Sequence, residues 1–338
     1  MTSPVRRPAG ALALVAAVAG ALVAVVLGFL TFGAQATAAP DGVPVAVAAP
    51  PGPLQGIAQR VAAHGGGQLA WTVTNPADAR QLLEDKKVYG VLELAPGPAA
   101  TVVTSGAVNP AGTQVAQQAL TAGAAALGGV PKQEVLHPAG VAGRTAPLAA
   151  SALAWIGALV AGLALTQLAR RTGRTVGAGA RFLQVVGAGA LVTAAVAGFF
   201  ALWDSTLPLD AGVLGFVFLA ATAFAALQAG LLRLLGLRAM AVLGPLYLVA
   251  PAVAGQVPEL LNPAYRTLLW SWTPFRFSTE GLRSLLQGVP GAPDVTTGAW
   301  VLGALLAAGL LLVLWPGRSA RQEAEPHLAD RVVEVGVH

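Results

Sequence analysis

Ala9–Gly33 reads AGALALVAAVAGALVAVVLGFLTFG, and no charged residue occurs between Arg7 and Asp41. At about 1.5 Å of rise per helical residue, a hydrocarbon core of roughly 30 Å needs about 20 such residues. The run therefore predicts a membrane-spanning helix over 9–33. Working outward along the chain, five further stretches pass the same test: 148–169, 182–203, 211–232, 239–257 and 298–316. The fifth span contains Pro245 and Pro251. The expected architecture is an α-helical integral membrane protein with six transmembrane helices and an extracytoplasmic α/β (α+β) domain inserted between helices 1 and 2. Composition agrees. Of 338 residues, 55% are hydrophobic and only 10% charged, against about 25% charged in soluble chains. Trp155, Trp203, Trp300 and Trp315 fall near span ends, where amphipathic rings favour the interface.

Charge placement orients the spans. The net charge is +5, with 17 arginines and 3 lysines. These form no single patch, so nucleic acid is not an expected partner. With six spans, Arg6, Arg7, Arg170, Arg171, Arg174, Arg181, Arg233, Arg238, Arg318 and Arg321 all fall on one side. The opposite short loop carries Asp204 and Asp210 and no Arg or Lys. The positive-inside rule then puts both termini, 1–8 and 317–338, in the cytoplasm. Arg and Ala usage suggests a GC-rich bacterial genome, hence a multi-pass protein of the bacterial plasma membrane. Ala34-Gln35-Ala36 after the first run resembles a signal cleavage site, but signal cores run about 7–15 residues. An uncleaved anchor is expected.

Residues 34–147 change character. Val43–Ala48, Gln68–Thr74, Val88–Leu94 and Thr101–Ser105 read as strands. Leu54, Ile57, Ala58 and Val61 have helical spacing. Asn75-Pro76 and Asn109-Pro110 each supply an N-cap and a first-turn proline. The order is β-α-β-α-β-β-α, with Gly129–Pro147 as a linker into the second span.

Chemical motifs are sparse. There is no cysteine, which excludes disulfides, thiolate metal sites and cysteine nucleophiles. The four histidines are isolated and expected to be solvated, so no metal ligand set is expected. Gly65-Gly66-Gly67 is expected to end a helix after His64, because no phosphate-loop pattern surrounds it. Glu84-Asp85-Lys86-Lys87 reads as an exposed helix end. Asn-Pro-Ala recurs at 75–77, 109–111 and 262–264, which helix starts explain. No catalytic set, cofactor site or enzyme activity is expected. The spans carry no interior Asp, Glu, Lys, Arg or His, which argues against a proton relay.

The stretch 258–297 is the second outward segment. Arg266, Trp270, Trp272, Phe275, Arg276, Phe277 and Arg283 mix cationic and aromatic groups there, a composition suited to the lipid headgroup level. Two short amphipathic helices dipping into the membrane, Pro263–Trp272 and Ser278–Gln287, are expected.

Two local patterns carry a family resemblance. Asn75–Gly97, NPADARQLLEDKKVYGVLELAPG, pairs a helix with a strand ending at proline. Trp272-Thr273-Pro274-Phe275 leads to Glu280-Gly281-Leu282-Arg283 before the last span. With the topology, these resemble the type-2 ABC exporter permeases, in the branch that includes the phage-infection-protein (YhgE/Pip) family. The resemblance implies export of a hydrophobic or amphipathic molecule, driven by a separate ATP-binding cassette subunit. It also implies a second permease copy or paralogue, and contact with membrane lipid. The expected ATPase-docking residues are Arg170, Arg171, Arg174 and Arg181. Many such permeases begin with a long amphipathic helix, whereas about nine residues precede the first span here. The alternative expectation is a non-transporting scaffold or receptor whose outward domain binds an envelope partner.

Overall fold

The computed structural model describes residues 9–97, 99–128 and 130–315. The expectations for both tails, including Arg6, Arg7, Arg318, Arg321, His327 and His338, lie outside the described residues. Helix α1 (Ala9–Gly28) passes through a π turn (Phe29–Gly33) into the short α2 (Ala34–Ala36). Then come β1 (Val43–Ala48), α3 (Pro53–His64), β2 (Leu69–Thr74), α4 (Pro76–Glu84) and β3 (Val91–Leu94). They are followed by β4 (Ala100–Ser105), α5 (Pro110–Ala126) and β5 (Lys132–Leu136).

The five strands form one sheet in the order β2-β1-β3-β4-β5. β1 runs parallel to β2 and β3, β4 is antiparallel to β3, and β5 is parallel to β4. Val45, Val47, Leu92 and Val102 meet Ala58 of α3 and Ala116 and Leu120 of α5 on one face. Ala46, Val91 and Val103 meet Ala79 and Leu83 of α4 on the other. Covering both faces explains why the central strands are almost wholly apolar. The caps form as read: Asn75 Oδ1 accepts from the Asp78 amide at 2.9 Å, and Asn109 Oδ1 from Ala111 at 3.0 Å.

The bundle comprises α6 (Val141–Thr172), α7 (Ala178–Trp203), α8 (Ala211–Leu235), a 3₁₀ turn (Gly236–Ala239) and α9 (Met240–Ala254). A 3₁₀ turn (Pro258–Leu260), α10 (Pro263–Tyr265), a π turn (Arg266–Trp270), α11 (Pro274–Leu286) and α12 (Pro293–Leu314) complete it. Five helices are long and apolar enough to cross a membrane: Gly10–Ala36, Val141–Thr172, Ala178–Trp203, Ala211–Ala254 and Pro293–Leu314. The fourth, at 44 residues, joins α8 to α9 and would measure about 66 Å if straight. It is interrupted at Gly236, whose φ is +59°. Helix α8 is central, with buried residues along its whole length packed on α6, α7 and α12.

The bundle has two chemically distinct ends. Arg233, closing α8, donates to the carbonyls of Leu312 at 2.8 Å and Val313 at 2.6 Å, closing α12. The sheet domain stands at the other end, where Lys86 Nζ meets Asp294 at 2.5 Å in the first turn of α12.

Several expectations are corrected. The linker 129–147 contains strand β5 and the start of α6, so β-α-β-α-β-β-α gains a final strand. Its sequence Lys-Gln-Glu-Val-Leu is polar because β5 is an edge strand with an exposed face. Helix α6 starts at Val141 rather than 148, and α12 at Pro293 rather than 298. The added residues, about two turns of α6 and one of α12, bring Arg144 and Asp294 to the sheet domain. Trp155 is not interfacial. It is 1% exposed and packs on Phe224, ring centroids 5.1 Å apart. The end of α4 is not uniformly exposed, since Lys86 turns inward to Asp294. His137 is not simply solvated, because its Nε2 lies 3.0 Å from Glu84.

Candidate functional site

The segment between α9 and α12 departs most from the sequence expectation. It begins as a tether. The amides of Ala39 and Asp41 donate to the carbonyls of Leu260 and Glu259, at 3.1 and 2.9 Å. Asn262 caps α10 through the Ala264 amide at 3.0 Å. Tyr265 then donates its hydroxyl to the Phe29 carbonyl at 2.7 Å, inside the π turn after α1. Gly33 closes that turn because the Tyr265 ring leaves no room for a Cβ. The Trp270 indole donates to the Gln256 carbonyl at 3.2 Å, and the Arg276 guanidinium lies 3.6 Å over its ring.

Helix α11 does not lie on the surface as the expected second amphipathic helix. Phe275, Ser278, Thr279, Leu282, Arg283 and Ser284 are all buried, against α6, α8, α9 and α12. The physical reason lies in its polar residues. Half of them, Ser278, Thr279 and Ser284, are small hydroxyls that bond within the protein, and the buried Arg283 has Glu280 beside it. Ser278 and Ser151 hydroxyls pair at 2.7 Å, and Thr279 donates to Ser151 at 3.2 Å. Phe275 stacks on Phe224 at 6.0 Å and tilts against Trp155 at 6.3 Å. Of the expected headgroup-level residues, Trp272 is exposed and Phe275 and Arg283 are buried. Trp270, Arg276 and Phe277 lie between those extremes, and Arg266 stands in the π turn.

Three side chains of the sheet domain make polar contacts with this helix and its flanks. Lys86, held at φ +58°, reaches Asp294 and the Ser284 hydroxyl. Asn109 donates its side-chain amide to Glu280 at 2.9 Å, and Arg283 approaches the same carboxylate at 3.4 Å. Tyr89 donates its hydroxyl to Glu259 at 3.0 Å. Burial, then the Glu259 charge, push the Tyr89 phenol well above its ordinary range, so it remains a donor. Lys86, Tyr89, Asn109, Glu280 and Asp294 line a cavity of 160 Å³ together with Trp270 and Arg276. A left-handed backbone at a lysine is uncommon and strained, and at Lys86 it points the ammonium across the junction.

The arrangement ties the sheet domain to the helical bundle. Among the described residues, no three His, Asp or Glu side chains gather to hold a metal. The Ser151 hydroxyl donates to the Pro147 carbonyl and meets the hydroxyls of Ser278 and Thr279.

The sequence-expected docking arginines lie at the opposite end. Arg170 and Arg171 close α6, Arg174 is in the turn that follows, and Arg181 opens α7. The first three are exposed and Arg181 is half-buried. Sequence reasoning missed Lys86, Tyr89, Asn109, Glu259, Glu280, Ser284 and Asp294 as one cluster. Asn109 signals only a cap, and no local pattern aims Lys86 across about 200 residues of chain at Asp294. The one available signal was the hydroxyl-rich polar face of 274–286.

The chain matches no protein-family model, no curated protein and no solved structure. Its helices define it as a multi-pass helical membrane protein.

Proposed function

We propose that the chain is the membrane (permease) subunit of an ABC-type exporter. It moves a hydrophobic or amphipathic molecule outward and takes energy from a separate ATP-binding cassette subunit. One observation carries the reading. Helix α11 has 13 residues, about 20 Å of helix, too short for a core of roughly 30 Å. It is nonetheless buried in the bundle with its hydroxyls bonded to protein. Non-spanning backbone at membrane depth is tolerated where protein or a water-filled path surrounds it. A short helix that enters and leaves from the domain end suits the outer gate of such a path.

In this reading the chain crosses the bilayer six times, α9 running back toward the domain after Gly236. The α8 C-terminus lies beside that of α12, whereas Val249 and Val253 of α9 pack on Ala34 near the domain. Both termini are cytoplasmic, the sheet domain is extracytoplasmic, and the membrane is a bacterial plasma membrane. Arg170, Arg171, Arg174 and Arg181 receive the ATPase, and a second permease copy completes the path. The resemblance to type-2 exporter permeases of the YhgE/Pip branch points the same way.

Purification from native membrane in mild detergent tests the proposal. The expected result is a co-purifying ATP-binding cassette protein that is lost when Arg170 and Arg174 are both changed to Glu. Recovery of the intact chain with no ATPase would count against it. The scaffold reading draws on β2 and β5, edge strands able to pair with another chain. It predicts that deleting 40–136 abolishes partner binding and leaves export unchanged.

A further inference from the structure

A second polar cleft lies away from the α11 junction. It occupies the space between the end of β4, the first two turns of α5 and the start of α6, with a volume of 260 Å³. Thr104, Ser105, Thr113, Gln114, Gln117 and Arg144 supply its polar lining, and no carboxylate lines it. The Thr113 hydroxyl is shielded from solvent and has no hydrogen-bond partner. The Arg144 side chain is exposed and forms no ion pair among the described residues. The cleft thus presents hydroxyls, amides and one uncompensated guanidinium.

The length of α6 between its cationic ends points to the ligand. Helix α6 has one cationic end at Arg144 and the other at Arg170. The axial separation between them is about 39 Å, close to the roughly 40–45 Å between the two headgroup regions. The residues from Ala146 to Ala169 contain no charge. If Arg170 stands at one headgroup layer, Arg144 stands at the other. A cationic cleft at that level faces lipid phosphates, and a guanidinium matches a phosphate in bidentate geometry.

We propose that this cleft binds the phosphodiester of an anionic phospholipid headgroup. Arg144 is the principal contact. The site is independent of what the protein transports, and of whether it transports at all. It places a lipid between the sheet domain and the first membrane helix after it.

The test uses the full chain in detergent, examined by native mass spectrometry with added phosphatidylglycerol or phosphatidylcholine of matched chains. The expected result is preferential retention of phosphatidylglycerol. Arg144→Gln weakens that retention about tenfold, the usual effect of losing one charge-assisted contact. Arg144→Lys keeps most of it. Arg60→Gln, in a separate pocket beside the second half of α5, removes a charge elsewhere on the domain and leaves it unchanged. Equal retention of the two lipids overturns the proposal, as does retention indifferent to Arg144→Gln. Displacement by millimolar inorganic phosphate also overturns it, by assigning the cleft to a soluble anion.

Discussion

Gly309 packs against the backbone of α8: a Cβ at that position would lie 2.5 Å from the Ala226 carbonyl carbon and from the Leu227 nitrogen. At Gly303, six residues earlier on α12, a Cβ would meet nothing within 4 Å. The pair separates helix propensity from packing. Gly309→Ala is expected to destabilise by about 1–3 kcal/mol through overpacking. Gly303→Ala is expected to stabilise by about 0.5–1 kcal/mol. Thermal unfolding in detergent reads both, and equal shifts would refute the close approach. Arg80 makes a second residue-scale case. Its guanidinium takes Glu93 at 2.6 and 3.0 Å and Glu134 at 2.7 Å, bridging α4 to β3 and β5. Hydrogen bonding from Arg80 holds the Glu134 carboxyl below its ordinary value of 4.5. A lowered carboxyl stabilises the fold fully above its unfolded value. The contribution is lost as pH falls through the folded value. Arg80→Ala should cost about 1 kcal/mol at neutral pH, because the pair is part-exposed. It should cost progressively less as pH drops below 4.5, an unfolding series in pH being the check.

At the scale of elements, α11 and the sheet domain behave as one body only if the contacts at Lys86, Tyr89 and Asn109 hold. The Lys86 side chain is 9% exposed and that of Asp294 24%. Removing one partner from a deeply buried pair costs about 3–5 kcal/mol, and partial exposure lowers this to about 2 kcal/mol. Lys86→Asp and Asp294→Lys are each expected to raise amide hydrogen exchange in α11. Combining them should restore protection. Exchange in α11 that ignores both single changes would show that the domain and the helix move separately. The elements also show how far local pattern reaches. The caps at Asn75, Asn109 and Asn262 and the helix end at Gly65 were all legible, because each is set by bonds within a few residues. Strand β5 was not, since its polar sequence resembles a loop until β4 pairs with it and Arg80 binds Glu134. Helix α11 was legible as a helix but not as a buried one.

For the whole molecule, the absence of cysteine makes single-cysteine labelling clean. Gln118 on α5 and Thr175 between α6 and α7 are both exposed and belong to opposite ends of the bundle. In intact cells, a membrane-impermeant maleimide should label Gln118→Cys. It should label Thr175→Cys only after permeabilisation. The reverse pattern would invert the proposed orientation, and labelling of both in intact cells would remove the odd number of crossings between them.

Length and apolarity along the chain determined the membrane class, the approximate helix boundaries and the presence of an α/β insertion. Those properties follow from solvent transfer and short-range hydrogen bonding, which act on each segment by itself. The tertiary structure alone decided that Trp155 is a core residue and that Lys86 crosses to Asp294. It also decided that 274–286 is packed into the bundle rather than lying on its surface. In each case the side chain has two acceptable environments by composition, water or a complementary protein partner. Which one it meets depends on residues far away in sequence: Phe224 and Phe275 around Trp155, Asp294 and Ser284 around Lys86, Ser151 beside Ser278.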